Sequence, residues 1–137
     1  MTRGNPSSSQ VVPVLVAVLV CDVACTDPST GKHSLIGLFD RIHVSNFPAE
    51  RPMSLYFKLT DAEGRYELDA KFVQVGSGKT LATAKSTFNV ADRLVSAQFH
   101  VPFPPLKIPS PGRYEFQIWT NSVFLGATFM DVVQRGG

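Results

Sequence analysis

The segment Arg65–Phe72, RYELDAKF, alternates without a break. Tyr66, Leu68, Ala70 and Phe72 fall on one side, and Arg65, Glu67, Asp69 and Lys71 on the other. A repeat of two is the spacing of a β-strand, because successive side chains point to opposite faces. A strand of this kind has one apolar face that must be covered by a second layer. The pattern recurs. Leu55, Phe57 and Leu59 alternate with Tyr56, Lys58 and Thr60, and Val95, Ala97, Phe99 and Val101 with Ser96, Gln98 and His100. No segment carries a convincing helical period, and residues 89–94 allow at most one short turn of helix.

Turn chemistry separates these runs. A first strand is predicted over Val14–Ala24, ended by the polar TDPSTGK turn, and a second over Ser34–Val44. The second closes at NFPAERP, whose two prolines lack the N–H that continued pairing needs. A fifth strand covers about Leu81–Val90, and PFPPLKIPSPG reads as a proline-rich link. Seven or eight short antiparallel strands with one apolar face each predict an all-β fold, a single antiparallel β-sandwich of immunoglobulin-like type. Pro111-Gly112-Arg113-Tyr114 resembles the entry to the penultimate strand of such sandwiches, with an inward Tyr114 placed to anchor a loop. The length fits one domain. The expected division is a flexible tail over residues 1–10 and a domain over 11–137.

The last hairpin supplies the candidate contact surface. Asn121-Ser122 has the chemistry of a two-residue turn, since Asn accepts a left-handed backbone. In that register Thr120 faces Val123, Ile118 faces Leu125, Phe116 faces Ala127 and Tyr114 faces Phe129, all inward. Trp119 opposite Phe124, Gln117 opposite Gly126 and Arg113 opposite Met130 then lie outward. Large aromatics on an outer face are what interfaces favour, so Trp119, Phe124 and Met130 are the candidate partner surface. The competing reading is that the N-terminal tail or the proline-rich link covers the pair.

Other chemistry is thin. Val75-Gly76-Ser77-Gly78-Lys79-Thr80 looks like the end of a phosphate-binding loop, but the position that needs the first glycine holds Val73. The residues that follow alternate as a strand instead of opening a helix, so the stretch predicts a turn with no nucleotide affinity. Cys21, Asp22, Cys25, His33 and Asp40 could be drawn as a metal cluster, yet no second close-set ligand pair follows Cys21 and Cys25. A Cys21 nucleophile with His33 or His100 as base lacks any visible orienting group. The three histidines read as solvated residues. Asp22 and Asp40 are expected to cap backbone N–H groups where strands end in turns. Two cysteines four apart on one strand lie about 13 Å apart, too far for a disulfide. No cofactor is expected.

A net charge of +2, with no basic run interleaved with aromatics, argues against nucleic acid. Unpaired cysteines point to the cytoplasm. The run VVPVLVAVLV after a polar start containing Arg3 resembles a short signal-peptide layout, which makes secretion the alternative. It is too short to span a bilayer as a helix, and no membrane partner is expected.

CDVACTDPSTGKHSLIGLFDRIHVSNFPA carries a more specific pattern. Cys21, Asp22, Gly31, Lys32, Leu35, Ile36, Gly37, Phe39, Asp40, Phe47 and Pro48 match the signature of a group of small uncharacterised bacterial proteins, a domain of unknown function. PGRYEFQIW followed by Leu125-Gly126 resembles the closing hairpin of the same family. The resemblance covers most of the chain. It implies a β-sandwich beginning at the hydrophobic strand, and no activity or catalytic residue. The expected function is therefore a non-enzymatic protein-interaction or adaptor module. The alternatives are a subunit that self-assembles into a homo-oligomer or filament, and an enzyme or metal-binding protein.

Overall fold

The structure, a computed structural model, describes residues 11–136. Within them run β1 (Val14–Thr26), β2 (His33–Leu38), β3 (Arg41–Val44), β4 (Ala49–Thr60), β5 (Gly64–Gln74), β6 (Lys79–Val90), β7 (Ala97–Ile108), β8 (Gly112–Thr120) and β9 (Val123–Gln134). They form a four-stranded sheet in the order β2-β1-β4-β7 and a five-stranded sheet in the order β3-β9-β8-β5-β6. The expected immunoglobulin-like β-sandwich is formed, with nine strands among the described residues. Residues 89–94, where a turn of helix was allowed, hold instead the end of β6 and a turn in which the Asp92 carboxylate accepts the Leu94 N–H at 2.9 Å.

The additional strand comes from residues 34–44, expected as one strand. The chain breaks at Phe39-Asp40 and changes sheet. Phe39 N–H still donates to Val20 C=O on β1 at 3.3 Å, and Asp40 C=O already accepts Asp131 N–H on β9 at 2.8 Å. β3 then runs parallel to β9, with Arg41 beside Asp131 and Val44 beside Gln134. One pairing is therefore parallel in a fold expected to be antiparallel throughout. Gly37, at φ +72°, supplies the bend just before the crossing.

The prolines do not stop pairing where expected. β4 begins at Ala49 and passes through Pro52, and β7 carries Pro102, Pro104 and Pro105 inside its length. Sheet order explains this. β7 is an edge strand with β4 as its one neighbour, so half its N–H groups have no ladder to serve. Pro52 sits at a register shift between Arg51 and Met53, beyond Ser54, where β1 pairing ends.

The core lies between the sheets. Met53, Leu55, Phe57 and Leu59 from one sheet meet Leu68, Ala70, Phe72, Tyr114, Phe116 and Ile118 from the other, all buried. Phe116 packs against Phe72 in its own sheet at 5.0 Å and Phe103 in the facing sheet at 5.8 Å. Near one margin Phe99 contacts Phe88 across the gap at 4.5 Å and Phe57 within its sheet at 5.2 Å. Tyr114 is buried as expected. Its hydroxyl donates to Ser110 C=O at 2.6 Å and accepts Ser110 N–H at 3.3 Å, fixing the loop into β8. Tyr66 does the same at the other end, accepting Glu63 N–H at 2.9 Å and donating to Val11 C=O at 2.7 Å.

Val75 to Gly78 form the expected turn, here between two antiparallel strands, with Gly78 N–H donating to Gln74 C=O at 2.8 Å. Phe116→Ala should cost about 3–5 kcal/mol through lost burial and a cavity, read as a shift of the urea midpoint at unchanged slope. A mutant that melts within a degree or two of wild type would overturn this packing. Lys79→Ala should change stability by less than about 0.5 kcal/mol, and neither protein should bind ATP or GTP saturably in calorimetry.

Candidate partner surface

The outer face of the five-stranded sheet is built by alternation on β8, where Arg113, Glu115, Gln117 and Trp119 all point away from the core. Asn121 and Ser122 form the hairpin turn, with φ 49° and 66°, the doubly left-handed geometry that suits a two-residue loop. Glu67 N–H donates to the Asn121 side-chain oxygen at 2.9 Å, and Asn121 N–H donates to Glu67 C=O at 2.9 Å. Thr120 faces Val123 and Trp119 faces Phe124, as the sequence predicts.

Beyond that rung the predicted register fails. A bulge between Ile118 and Trp119 places Ile118 opposite Gly126, Phe116 opposite Thr128 and Tyr114 opposite Met130. One extra residue, Leu125, is accommodated in β9, and the alternation of everything after it reverses. Met130, expected outward, is fully buried in the core. Phe129, expected inward, is 45% exposed and lies beneath the Arg113 guanidinium, 4.8 Å from its ring centre. A close approach across the sandwich accompanies the bulge. A Cβ on Gly126 would stand 2.7 Å from a Leu15 methyl, so β9 meets Leu15 of β1 at a residue with no side chain.

The structure brings Trp119 and Phe124 together, ring centres 5.4 Å apart, with Phe124 48% exposed. Trp119 is half-buried and held from two sides. Lys71 Nζ lies 4.3 Å over its ring, and its indole N–H donates to Gln117 Oε1 at 2.9 Å. Gln117 in turn donates to Glu115 Oε1 at 2.6 Å, so one outward row of β8 is a continuous hydrogen-bonded chain. Arg113 grips Asp131 with two bonds, 2.8 and 3.1 Å, which holds the Asp131 carboxyl below the usual range. Sequence reasoning missed Lys71 and Phe129. Lys71 was legible as an outward residue of β5, but its partner required the β5–β8 register that sets Lys71 beside Gln117 and Asp69 beside Trp119. The proline-rich stretch belongs to the opposite sheet as β7 and does not cover the pair; residues 1–10 lie outside the described residues.

The residues considered for catalysis or metal binding separate. Cys21 is buried, its thiol donating to Val23 C=O at 3.4 Å and Ser54 C=O at 3.7 Å. Burial, and secondarily the charge of Asp22, push its pKa up. Cys25 is exposed, and both cysteines are free. Asp22 lies against Gly37, and Asp40 accepts Asp131 N–H through its main-chain carbonyl. Among the described residues no three His, Cys, Asp or Glu side chains are placed to hold a metal.

Two histidines depart from the solvated reading. Tyr56 stands opposite Leu19, and His33 opposite Thr26, which on straight strands is about 23 Å away. Yet His33 touches the rings of Tyr56 and His100 at 5.7 and 5.6 Å, so the tip of the β1–β2 hairpin curls over its own sheet. The buried Nδ1 of His100 has no hydrogen-bond partner among the described residues. His43 is exposed.

Among the described residues no helix is long and apolar enough to cross a membrane. No curated protein matches the sequence. Among solved structures, an immunoglobulin-like protein from Pseudomonas aeruginosa aligns at 10% identity and a TM-score of 0.42, over 90% of this chain and 98% of that one. The Pseudomonas fluorescens alkylpurine DNA glycosylase AlkC, bound to DNA containing an abasic site analog, aligns at 14% identity and a TM-score of 0.49. That alignment covers 85% of this chain, which spans 30% of the glycosylase chain. The sequence from residue 16 to 133 matches a family profile described only as of unknown function, and the chain belongs to that family, DUF6941.

Proposed function

We propose that this protein is a non-enzymatic interaction module that receives another protein on the outer face of its five-stranded sheet, centred on Trp119 and Phe124. One observation carries the reading: an outward Trp–Phe pair on a polar strand, its tryptophan held in place by Lys71 and Gln117. A fixed aromatic loses little freedom on binding, so its apolar area contributes to affinity with little offset. The Lys85–Asp69 pair at 3.1 Å, with Asp69 beside Trp119, places polar groups at the margin of this centre as a rim does. The partner that fits is a protein surface offering an apolar side chain to seat beside Phe124, with hydrogen-bonding groups around it.

Trp119→Ala combined with Phe124→Ala should abolish capture of the partner by cross-linking in native cells and leave folding intact. If the double mutant unfolds, and wild type neither captures a partner nor self-associates by light scattering, the pair is core and the reading is wrong. Concentration-dependent assembly of wild type that the double mutant loses would favour the self-assembling subunit instead.

Cysteine labelling tests the absence of a thiol nucleophile. Cys25 should react with a soluble disulfide reagent in the folded protein, and Cys21 only on unfolding. Rapid labelling of native Cys21 would reopen an enzymatic reading.

A further inference from the structure

Three arginines from three different places in the chain line one open cleft. Arg41 begins β3, Arg51 lies at the register shift of β4, and Arg135 follows β9; His43 is beside them, and the cleft holds about 300 Å³. It opens where the chain crosses between the sheets, with Leu38 and Phe39 forming an apolar wall. Arg135 is fixed there by its own N–H, which donates to Val44 C=O at 2.8 Å.

The charges in this cleft are poorly balanced. Among the described residues the ion pairs are Lys85–Asp69 and Arg113–Asp131, and none of the three arginines takes part in one. Asp131, beside Arg41 in the ladder, feels its charge, but both its oxygens are hydrogen-bonded to Arg113. Asp40 lines the neighbouring depression with Leu19 and Thr128, not this cleft. The one carboxylate that lines it, Asp22, is packed against Gly37. Three guanidiniums gathered around one carboxylate leave positive charge in excess, and a planar guanidinium is shaped to take two oxygens of one anionic group.

We infer that this cleft is a binding site for an anionic group with several acceptor oxygens, a phosphate or carboxylate, carried on a ligand with an apolar portion that lies along Leu38 and Phe39. It is separate from the Trp119 surface, and its test does not depend on that reading. Both oxyanions present the same bidentate geometry to arginine, so the experiment compares them.

Inorganic phosphate and hexanoate are titrated into the full chain at constant ionic strength, with chloride as the reference salt. Melting temperature and calorimetric heat are recorded. Wild type should show saturable binding and a melting temperature that rises with ligand, since a ligand that binds only the folded state stabilises it. Arg51→Ala and Arg135→Ala should each weaken binding by about tenfold or more, the range for loss of a charged hydrogen bond. Arg93→Ala, in the turn between β6 and β7 and outside the cleft, should leave it unchanged. Tighter phosphate binding identifies a phosphoryl ligand, and tighter hexanoate binding identifies a carboxylate. The inference is overturned if neither probe saturates, if chloride has the same effect, or if Arg93→Ala weakens binding as much as the cleft variants. Arg51→Lys provides the check on folding. It keeps the charge but not the fork, so it should melt as wild type does and still bind more weakly.

Discussion

The interdigitation of aromatic rings between the two sheets is the contact on which the rest of the molecule depends. Phe116 meets Phe103 across the gap while resting on Phe72, and Phe99 meets Phe88 while resting on Phe57. Each ring spans from its own sheet into the other, so neither sheet can slide without opening space that nothing else fills. The outer faces inherit this order. Trp119 and Arg113 point outward because Ile118 and Tyr114 point inward, and the row linked by hydrogen bonds along β8 is the reverse side of the core.

That coupling also explains what could be read in advance. Arg65–Phe72 and Arg113–Trp119 announce their faces by alternation alone, since period two is a property of the residues themselves. The Asn121-Ser122 turn and its first two rungs were legible for the same reason: left-handed backbone preference is local. Met130 was not. Its direction is set by a bulge, and the bulge accompanies the approach of Leu15, from the opposite end of the chain, to Gly126. No inspection of the hairpin by itself contains that contact.

The prolines were misread for a related reason. A proline excludes pairing only where a neighbour would have used its N–H, and the number of neighbours is a property of sheet order. Pro102, Pro104 and Pro105 stand on an edge that needs no second partner, where their missing donors protect against unwanted strand addition. The break at Phe39-Asp40 was equally hidden, because the apolar pattern continues through it while the chain changes sheets. Chemistry was easier to exclude than to place. Cys21 and His33 could be weighed as sequence, but the curl of the β1–β2 hairpin over Tyr56 depends on three dimensions.

The parallel pairing of β3 with β9 has a consequence for how the chain is made. Residues 41–44 leave the ribosome well before their ladder partner, residues 131–134. Local hairpins such as β5–β6 can close as they emerge, whereas one edge of the five-stranded sheet stays unsatisfied until β9 has been made. The nascent protein thus carries an unzipped seam from the making of β3 to the making of β9. A stop codon at the start of β9 would remove the strand that joins β3 to its sheet, leaving the polypeptide to quality control.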